Sequence, residues 1–265
     1  MGFYNLKIIN SGNDRVEVYF SKNYKIKTGA VKRTRVQAQR KSYKTEEQIQ
    51  QEKKKNKLTN LNNSRNKINR LIACNKDLDK FITLTYASTV SMEDSKKHLA
   101  YFFTKLRRKQ EGLKYLWVLE FQNNGNIHYH VLTNYKIKID TNKHKKSENH
   151  KRIEREFAAE FWEYGFVDIR DLAAEGNTNV ARYLTAYITK DMMDQDLKGA
   201  RIFGYSKNTL DKPIVTKVLE EIQDQQELLQ MFNDYNVQFT NSYSIGSFGD
   251  RVNYFDMKRS DIEWN

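Results

Sequence analysis

The stretch that decides the fold is Gly125-Asn126-Ile127-His128-Tyr129-His130-Val131-Leu132, in which two histidines flank a tyrosine. Its β-branched and aromatic residues favour a strand. Side chains alternate between the faces of a strand, so His128 and His130 share one face, about 7 Å apart along the backbone. Tyr129 is then expected to point the other way, into a core. Two imidazoles at this spacing can share a divalent metal ion. The alternative is two exposed histidines on a half-buried strand.

The link before this strand predicts a hairpin. Residues 115–121 favour a strand, and Gln122-Asn123-Asn124-Gly125-Asn126 connects the two strands. Asn-Gly between apolar runs is a strong hairpin signal, and the hairpin would bring Glu120 beside the two histidines. A carboxylate and two imidazoles make a plausible set of three metal ligands with open positions for water or substrate. The alternative for Glu120 is an ordinary carboxylate at a strand edge.

The remaining periodicities predict an α+β protein. Strands are expected at 3–9, 15–20, 80–86, 115–121, 127–134 and 166–170, helices at 45–74, 91–110, 151–164, 180–193 and 214–236, and a hairpin at 237–258. Thr45 and Gln48 suit a capping box at the start of the first helix. Gly165 is the predicted C-cap of the third helix. His144 and His150 are expected to be solvated, in a lysine-rich loop at 136–150.

These elements suggest three segments. Residues 1–76 would form a basic N-terminal extension of short strands and a long helix, and residues 77–213 the core. Residues 214–265 would form a helix and hairpin packed on that core.

Charge is concentrated in one segment. Lys22–Lys76 holds 17 Lys and Arg against 3 Glu, a net charge of +14, whereas the whole chain carries +13. Such a block favours a polyanionic partner, most simply nucleic acid. A solvated basic helix without a partner is the alternative. From residue 214 onward there are 9 acidic and 4 basic residues, so this part is not expected to bind DNA.

The composition excludes several classes of protein. Cys74 is the single cysteine, so an internal disulfide and a cysteine-based zinc site are ruled out, and a reducing cytoplasm is expected. No apolar run is long enough to predict a membrane span, and the first residues show no signal-peptide pattern.

A second chemical pattern lies on the predicted helix at 180–193. Tyr183 and Tyr187 are four residues apart, so they share one helical face, which Lys190 joins. A tyrosine phenol can attack a phosphodiester, and a nearby lysine would favour the phenolate or hold a phosphate. The alternative is that the two tyrosines line a core.

The patterns resemble, in combination, the three ordered motifs of HUH endonucleases, and specifically the rolling-circle replication initiators (Rep proteins) of phages and plasmids. The matching residues are Phe81-Ile82-Thr83-Leu84-Thr85, Glu120 with Gly125-x-x-His128-Tyr129-His130, and Tyr183-x-x-x-Tyr187-x-x-Lys190. The tail Phe203-Gly204-Tyr205-Ser206-Lys207 with Lys212-Pro213 is also similar to phage and plasmid members. The resemblance implies a central antiparallel sheet with flanking helices, of the ferredoxin-like or RNA-recognition-motif type.

The resemblance also implies an activity and its partners. His128, His130 and Glu120 would bind Mg²⁺ or Mn²⁺. Tyr187 or Tyr183 would cut single-stranded DNA within a hairpin at a replication origin, leaving a 5′-phosphotyrosine and a 3′-hydroxyl that primes synthesis. Lys190 would position phosphate or offset developing charge. A host helicase and polymerase would be partners, in the cytoplasm of a bacterial host, with no membrane involved.

Other functions remain open from the sequence. One is an HUH transposase or a plasmid mobilisation relaxase, although relaxases carry their nucleophile near the N-terminus, ahead of the histidines. The other is a non-catalytic protein that binds single-stranded nucleic acid on a similar sheet. Which tyrosine acts first is also undecided.

Overall fold

A computed structural model of the chain describes residues 3–26, 45–122, 125–139, 146–172, 180–188, 201–245 and 250–260. The strands are β1 (Phe3–Ser11), β2 (Arg15–Ile26), β3 (Lys80–Tyr86), β4 (Tyr115–Phe121), β5 (Ile127–Thr133), β6 (Gly165–Asp171), β7 (Phe203–Tyr205), β8 (Ile214–Val218), β9 (Tyr235–Ile245) and β10 (Asp250–Arg259). The helices are α1 (Glu46–Cys74), α2 (Met92–Lys109), α3 (Glu148–Phe161), α4 (Val180–Thr185) and α5 (Gln225–Gln230). The predicted α+β class is confirmed.

The chain divides into two compact units, each with its own antiparallel sheet. The central unit is Gln50–Asp211, and the terminal unit combines residues 1–49 with residues 212–265. This division differs from the predicted segments 1–76, 77–213 and 214–265. The reason is long-range pairing: β1 pairs with β8, and β2 pairs with β10, so the N-terminal strands share a sheet with the last part of the chain.

The terminal unit is a five-stranded sheet in the order β8-β1-β2-β10-β9. Its core joins Val18 and Phe20 of β2 to Phe255 and Met257 of β10, with Leu228 of α5 packed on them. The predicted helix at 214–236 is wrong over most of its length, because residues 214–218 pair with β1 as a strand and α5 spans only Gln225–Gln230. The predicted hairpin at 237–258 is confirmed by β9 and β10.

The central unit is a five-stranded antiparallel sheet in the order β6-β3-β5-β4-β7. Its first four strands in chain order are β3, β4, β5 and β6, and they lie in the spatial order fourth, first, third, second. With α2 after β3 and α3 after β5, this is the ferredoxin-like arrangement that the family resemblance implies. β7 adds a fifth strand beside β4.

Helices cover both faces of this sheet. On one face, residues of α2 and α3 such as Phe102 and Phe157 pack with Trp162 against strand residues that include Leu84 and Tyr129. On the other face, the apolar stripe of α1 packs with α4 on β3, β4 and β5; its buried members are Leu61, Ile68, Leu71 and Ile72.

A close approach of two strands explains Gly165. A Cβ atom at this position would lie 2.2 Å from the carbonyl oxygen of Thr85 and 2.5 Å from the amide nitrogen of Ala87. Gly165 therefore opens β6 because no side chain fits there. Its predicted role as a helix C-cap is wrong, since α3 ends at Phe161 and Trp162 is the cap residue.

Among the described residues, no helix combines the length and the apolar character needed to cross a membrane.

Candidate functional site

Strand register gathers the predicted metal ligands on the face of the central sheet that α4 covers. In β5, His128 and His130 alternate with Tyr129, and Tyr129 is buried in the opposite core as predicted. Antiparallel pairing places Glu120 of β4 directly opposite His128, and Thr85 of β3 on the other side of it. The hairpin therefore delivers Glu120 beside the histidines. Gly125 in the link has φ +82°, a conformation that glycine adopts readily.

His130 is held on both ring nitrogens. Its Nε2 lies 2.6 Å from Oε2 of Glu120, and its Nδ1 lies 3.2 Å from the hydroxyl of Thr83. The hydrogen bond with His130 lowers the pKa of Glu120, against the opposing effect of burial. An ionised carboxylate only accepts hydrogen bonds, so Nε2 of His130 carries the proton that it shares with Glu120.

His128 has an unmet polar atom. It is only 7% exposed, and its Nε2 is buried with no hydrogen-bond partner. Burial lowers the pKa of His128, in spite of the nearby Glu120. The ring is therefore neutral at physiological pH, which is the form that binds metal ions.

The donor set fits a divalent cation, although the side chains are not arranged around one. Within the described part of the chain, no group of three or more His, Cys, Asp or Glu side chains has the geometry of a metal site. The Glu120–His130 contact explains this, because the proton between the two groups takes the place that a shared cation would need. Nε2 of His128 lies on the same face and has no hydrogen-bond partner. Two imidazoles and a carboxylate are ligands that Mn²⁺ accepts.

The tyrosines lie against this cluster. The ring of Tyr187 stacks on His130, with centroids 3.5 Å apart and planes 22° apart. Tyr183 meets Phe81 edge-on at 4.7 Å and lies 6.1 Å from Tyr187. Burial first, and then Tyr183 and Glu120, raise the pKa of Tyr187 well above that of a free phenol. Tyr187 is therefore protonated at neutral pH in this arrangement.

The local backbone around Tyr187 differs from the prediction. α4 ends at Thr185, and Tyr187 lies in the turn that follows. The amide of Tyr187 donates a hydrogen bond to the carbonyl oxygen of Leu184 at 3.4 Å. The rest of the predicted helix, including Lys190, lies outside the described residues. The structure thus brings together Glu120, His128, His130, Tyr183 and Tyr187, and it leaves the placement of Lys190 untested.

Two arginines near Tyr187 were missed from the sequence. Arg65 of α1 donates a hydrogen bond to the carbonyl of Ile188, and so holds the turn that carries Tyr187. Arg170 of β6 pairs with Phe81 in the sheet, and its charge lowers the pKa of Tyr187. Neither role had a sequence signal, because both depend on which helix and strand meet in space.

The prediction that His150 is solvated is wrong. His150 is not solvated: it lies in α3, is 4% exposed, and its Nε2 is 2.9 Å from the carbonyl oxygen of Ile169. Tyr86 is buried in the opposite core, so it is not available to stack on a base. His144 lies outside the described residues.

Comparison with known families supports a replication protein. Residues 79–192, less than half of the chain, match the family described as Replication-associated protein ORF2/G2P. All six predicted site residues lie within this match. No curated protein and no solved structure matches the chain significantly. The family match supports a Rep-like protein with a role in the initiation of DNA replication and a DNA partner.

Proposed function

We propose that this chain is an HUH-type endonuclease that nicks and rejoins single-stranded DNA through a tyrosine link, and so initiates rolling-circle replication. The observation that carries the proposal is the stacking of Tyr187 on His130 at 3.5 Å, beside Glu120 and His128. These side chains lie together on one face of one sheet, which supports their assignment as a nucleophile and a set of metal ligands. The family match to replication-associated proteins gives this chemistry its biological setting.

Glu120, His128 and His130 would hold Mg²⁺ or Mn²⁺, which when bound polarises the scissile phosphate. The hydroxyl of Tyr187 attacks the phosphorus and loses its proton. A phenolic oxygen–phosphorus bond forms, the bond to the 3′-oxygen breaks, and the 3′-oxygen leaves as a hydroxyl after taking up a proton. Because the phosphodiester energy is kept in the tyrosine link, attack by a 3′-hydroxyl reverses the step and joins the strand.

The protein must stabilise the phenolate of Tyr187 for this attack. The charge of Glu120 opposes ionisation of the phenol, and the charge of Arg170 favours it. A cation held by Glu120 would offset the charge that opposes ionisation, and the charge of Arg170 acts in the same direction, against burial and Tyr183. A hydrogen bond between the side chains of Tyr183 and Tyr187 orients the phenol of Tyr187.

The site face also suits an unpaired strand. Phe166 of β6 pairs with Thr85, and Thr85 pairs with His128, so Phe166 stands on the same face at the end of this row. Its side chain is 69% exposed, which is unusual for a phenylalanine on a sheet. Exposed aromatic rings stack on unpaired bases, and base pairs in a duplex hide those faces.

The test uses denaturing gels and single-stranded oligonucleotides that tile the DNA around the gene for this chain. With Mn²⁺, the protein should form a covalent adduct with one oligonucleotide, and EDTA should prevent it. Tyr187→Phe should abolish the adduct, whereas Tyr101→Phe, at a partly exposed tyrosine of α2, should not change it. An undiminished adduct in Tyr187→Phe, with loss in Tyr183→Phe, would transfer the role to Tyr183.

A non-catalytic single-strand-binding protein is the second candidate, and the closed Glu120–His130 contact favours it. In that case the tiled oligonucleotides bind to the protein, but no covalent adduct forms with Mg²⁺ or with Mn²⁺.

A further inference from the structure

A basic groove runs between α1 and β7 in the central unit, and none of the described residues of the proposed site lines it. It encloses about 600 Å³. Four cationic side chains line it: Lys57, Lys67, Arg201 and Lys207. The described residues around it include no aspartate and no glutamate. A concave surface of one charge concentrates ligands of the opposite charge, so the groove favours an anion.

The length of the groove favours a chain of anions over a single one. Lys57 and Lys67 both belong to α1 and are ten residues apart, which is about 15 Å along a helix axis. Arg201 and Lys207 flank β7 on the opposite wall. Charges spread in this way match successive phosphates of a nucleic-acid backbone better than one small ion.

Two aromatic rings form the β7 wall. Phe203 and Tyr205 alternate with Gly204 along the strand, and their ring planes are 19° apart with centroids separated by 6.4 Å. The ammonium group of Lys67 lies 4.9 Å from the centre of the Tyr205 ring. Gly204 faces away: a Cβ atom there would lie 2.6 Å from the indole of Trp117.

Near-parallel, half-buried rings beside cationic groups are the elements that single-strand-binding proteins use. The rings stack on bases and the cations track the backbone. A duplex hides its base faces, so rings on a groove wall favour an unpaired strand.

The groove leads towards the candidate site. Phe203 pairs with Val118 of β4, and Val118 pairs with His130 of β5. Two strand spacings therefore separate Phe203 from His130, which is roughly 10 Å. The amide of Leu119, next to Glu120, donates to the carbonyl of Ile202 at 2.8 Å.

We propose that the groove between α1 and β7 binds a few unpaired nucleotides of the DNA strand whose neighbouring phosphate reaches Tyr187. Lys67, Arg201 and Lys207 contact phosphates, with Lys57 beside them, and Tyr205 and Phe203 stack on bases. The direction of the strand towards Tyr187 rests on the proposed function, whereas binding in the groove does not.

The test measures binding without cleavage. The full chain is titrated, in EDTA, against a fluorescent oligothymidylate of about 12 nucleotides, within the range of single-strand site sizes. The groove variant is Lys67→Gln/Arg201→Gln/Lys207→Gln. The control variant, Arg108→Gln/Lys136→Gln/Lys138→Gln, removes the same charge at exposed positions away from the groove. Thermal unfolding checks that both variants fold.

The groove variant should bind at least about tenfold more weakly than the control variant, and its log–log salt slope should fall by about 2, as expected for three lost single-strand phosphate contacts. Tyr205→Leu should weaken binding by about tenfold with an unchanged salt slope, and Tyr205→Phe should restore it. Equal affinities and slopes for the groove and control variants would overturn the proposal. Equal effects of Tyr205→Leu on single strand and duplex would also overturn it, because stacking needs unpaired bases.

Failure here is distinct from failure of the proposed function. If the protein forms the Tyr187 adduct but the groove variant binds like the control, the groove assignment falls and the nuclease assignment stands. If no adduct forms but the groove variant binds more weakly than the control, the groove assignment stands and the nuclease assignment falls.

Discussion

The two faces of the central sheet are built from alternate residues of the same strands, yet they differ in kind. The face under α2 and α3 is apolar at its centre, with Leu84, Tyr129 and Val131. At one end of it, Lys80 forms an ion pair with Asp171 at 2.9 Å. The face under α1 and α4 is apolar at one end and carries His128, His130 and Glu120 at the other. Apolar packing therefore fills most of the first face, and the charged groups at its end are paired with each other. The other face has polar groups in place of part of its apolar packing, and one of their buried atoms, Nε2 of His128, has no partner.

The comparison also shows where polar groups are satisfied. On the apolar face, the hydroxyl of Tyr129 meets that of Ser95 at 2.9 Å, and the indole of Trp162 donates to Thr85 at 3.1 Å. On the other face, Nε2 of His128, which belongs to the sheet itself, has no partner; of the described residues that cover the apolar face, His98 of α2 also has a buried ring nitrogen without one. A buried polar atom without a partner destabilises a fold. We infer that the polar end is kept for binding, and the following variants test this.

The largest effect is expected from truncation of the apolar face. Trp162→Ala should lower the free energy of unfolding by about 3–5 kcal/mol, because a fully buried indole leaves a large cavity. Urea denaturation followed by circular dichroism measures this change. Phe166→Ala, at an exposed ring on the other face, is the control and should change it by less than about 0.5 kcal/mol. A comparable loss for both variants would contradict the division between faces.

A smaller effect, of opposite sign, is expected on the polar face. In metal-free protein, His128→Leu should raise the free energy of unfolding by about 1 kcal/mol, because it removes an unsatisfied buried atom. His150→Leu is the matched control. That histidine is equally buried but bonds to Ile169, so its loss should lower the free energy of unfolding by about 1–3 kcal/mol.

Addition of a metal ion should separate the His128→Leu and His150→Leu variants further. Mn²⁺ should raise the melting temperature of the wild type and of His150→Leu, and leave that of His128→Leu unchanged, since only a ligand of the folded state stabilises by mass action. Destabilisation by His128→Leu to the same degree as His150→Leu would show that His128 is a structural residue.

Local patterns were enough to predict most of this face. The alternation of His128, Tyr129 and His130 and the Asn-Gly link gave the shared face and the position of Glu120. The capping box at the start of α1 also formed, with the amide of Gln48 3.3 Å from the hydroxyl of Thr45. Each of these signals acts within a few residues of the chain.

Prediction failed where partners are distant in sequence or where two patterns compete. The pairing of Val18 with Phe255 has no local signal, so the shared sheet of the terminal unit was missed. Residues 214–218 combine apolar spacing typical of a helix with β-branched residues typical of a strand, and pairing with β1 decides for the strand. His150 lies in α3 because Ser147 caps that helix ahead of the predicted start at Lys151.

The smallest effect is a pH dependence confined to the polar face. The hydrogen bond with His130 lowers the pKa of Glu120 in the folded state, so the unfolded chain binds more protons just below the ordinary glutamate pKa. The stability that Glu120 contributes is therefore complete above pH 4.5 and is lost as the pH falls through the folded-state pKa. Glu120→Gln should lower the free energy of unfolding by about 1 kcal/mol at neutral pH, as for a partly exposed charged hydrogen bond.

This difference should shrink as the pH falls below that range, because both side chains are then neutral. Urea titrations across the acid range measure it, and Glu111→Gln, at an exposed glutamate, controls for the change in net charge. A difference that stays constant as the pH falls would show that the carboxylate charge is not what couples β4 to His130. The polar face would then be held by shape alone, and the competition between proton and cation at Glu120 would lose its physical basis.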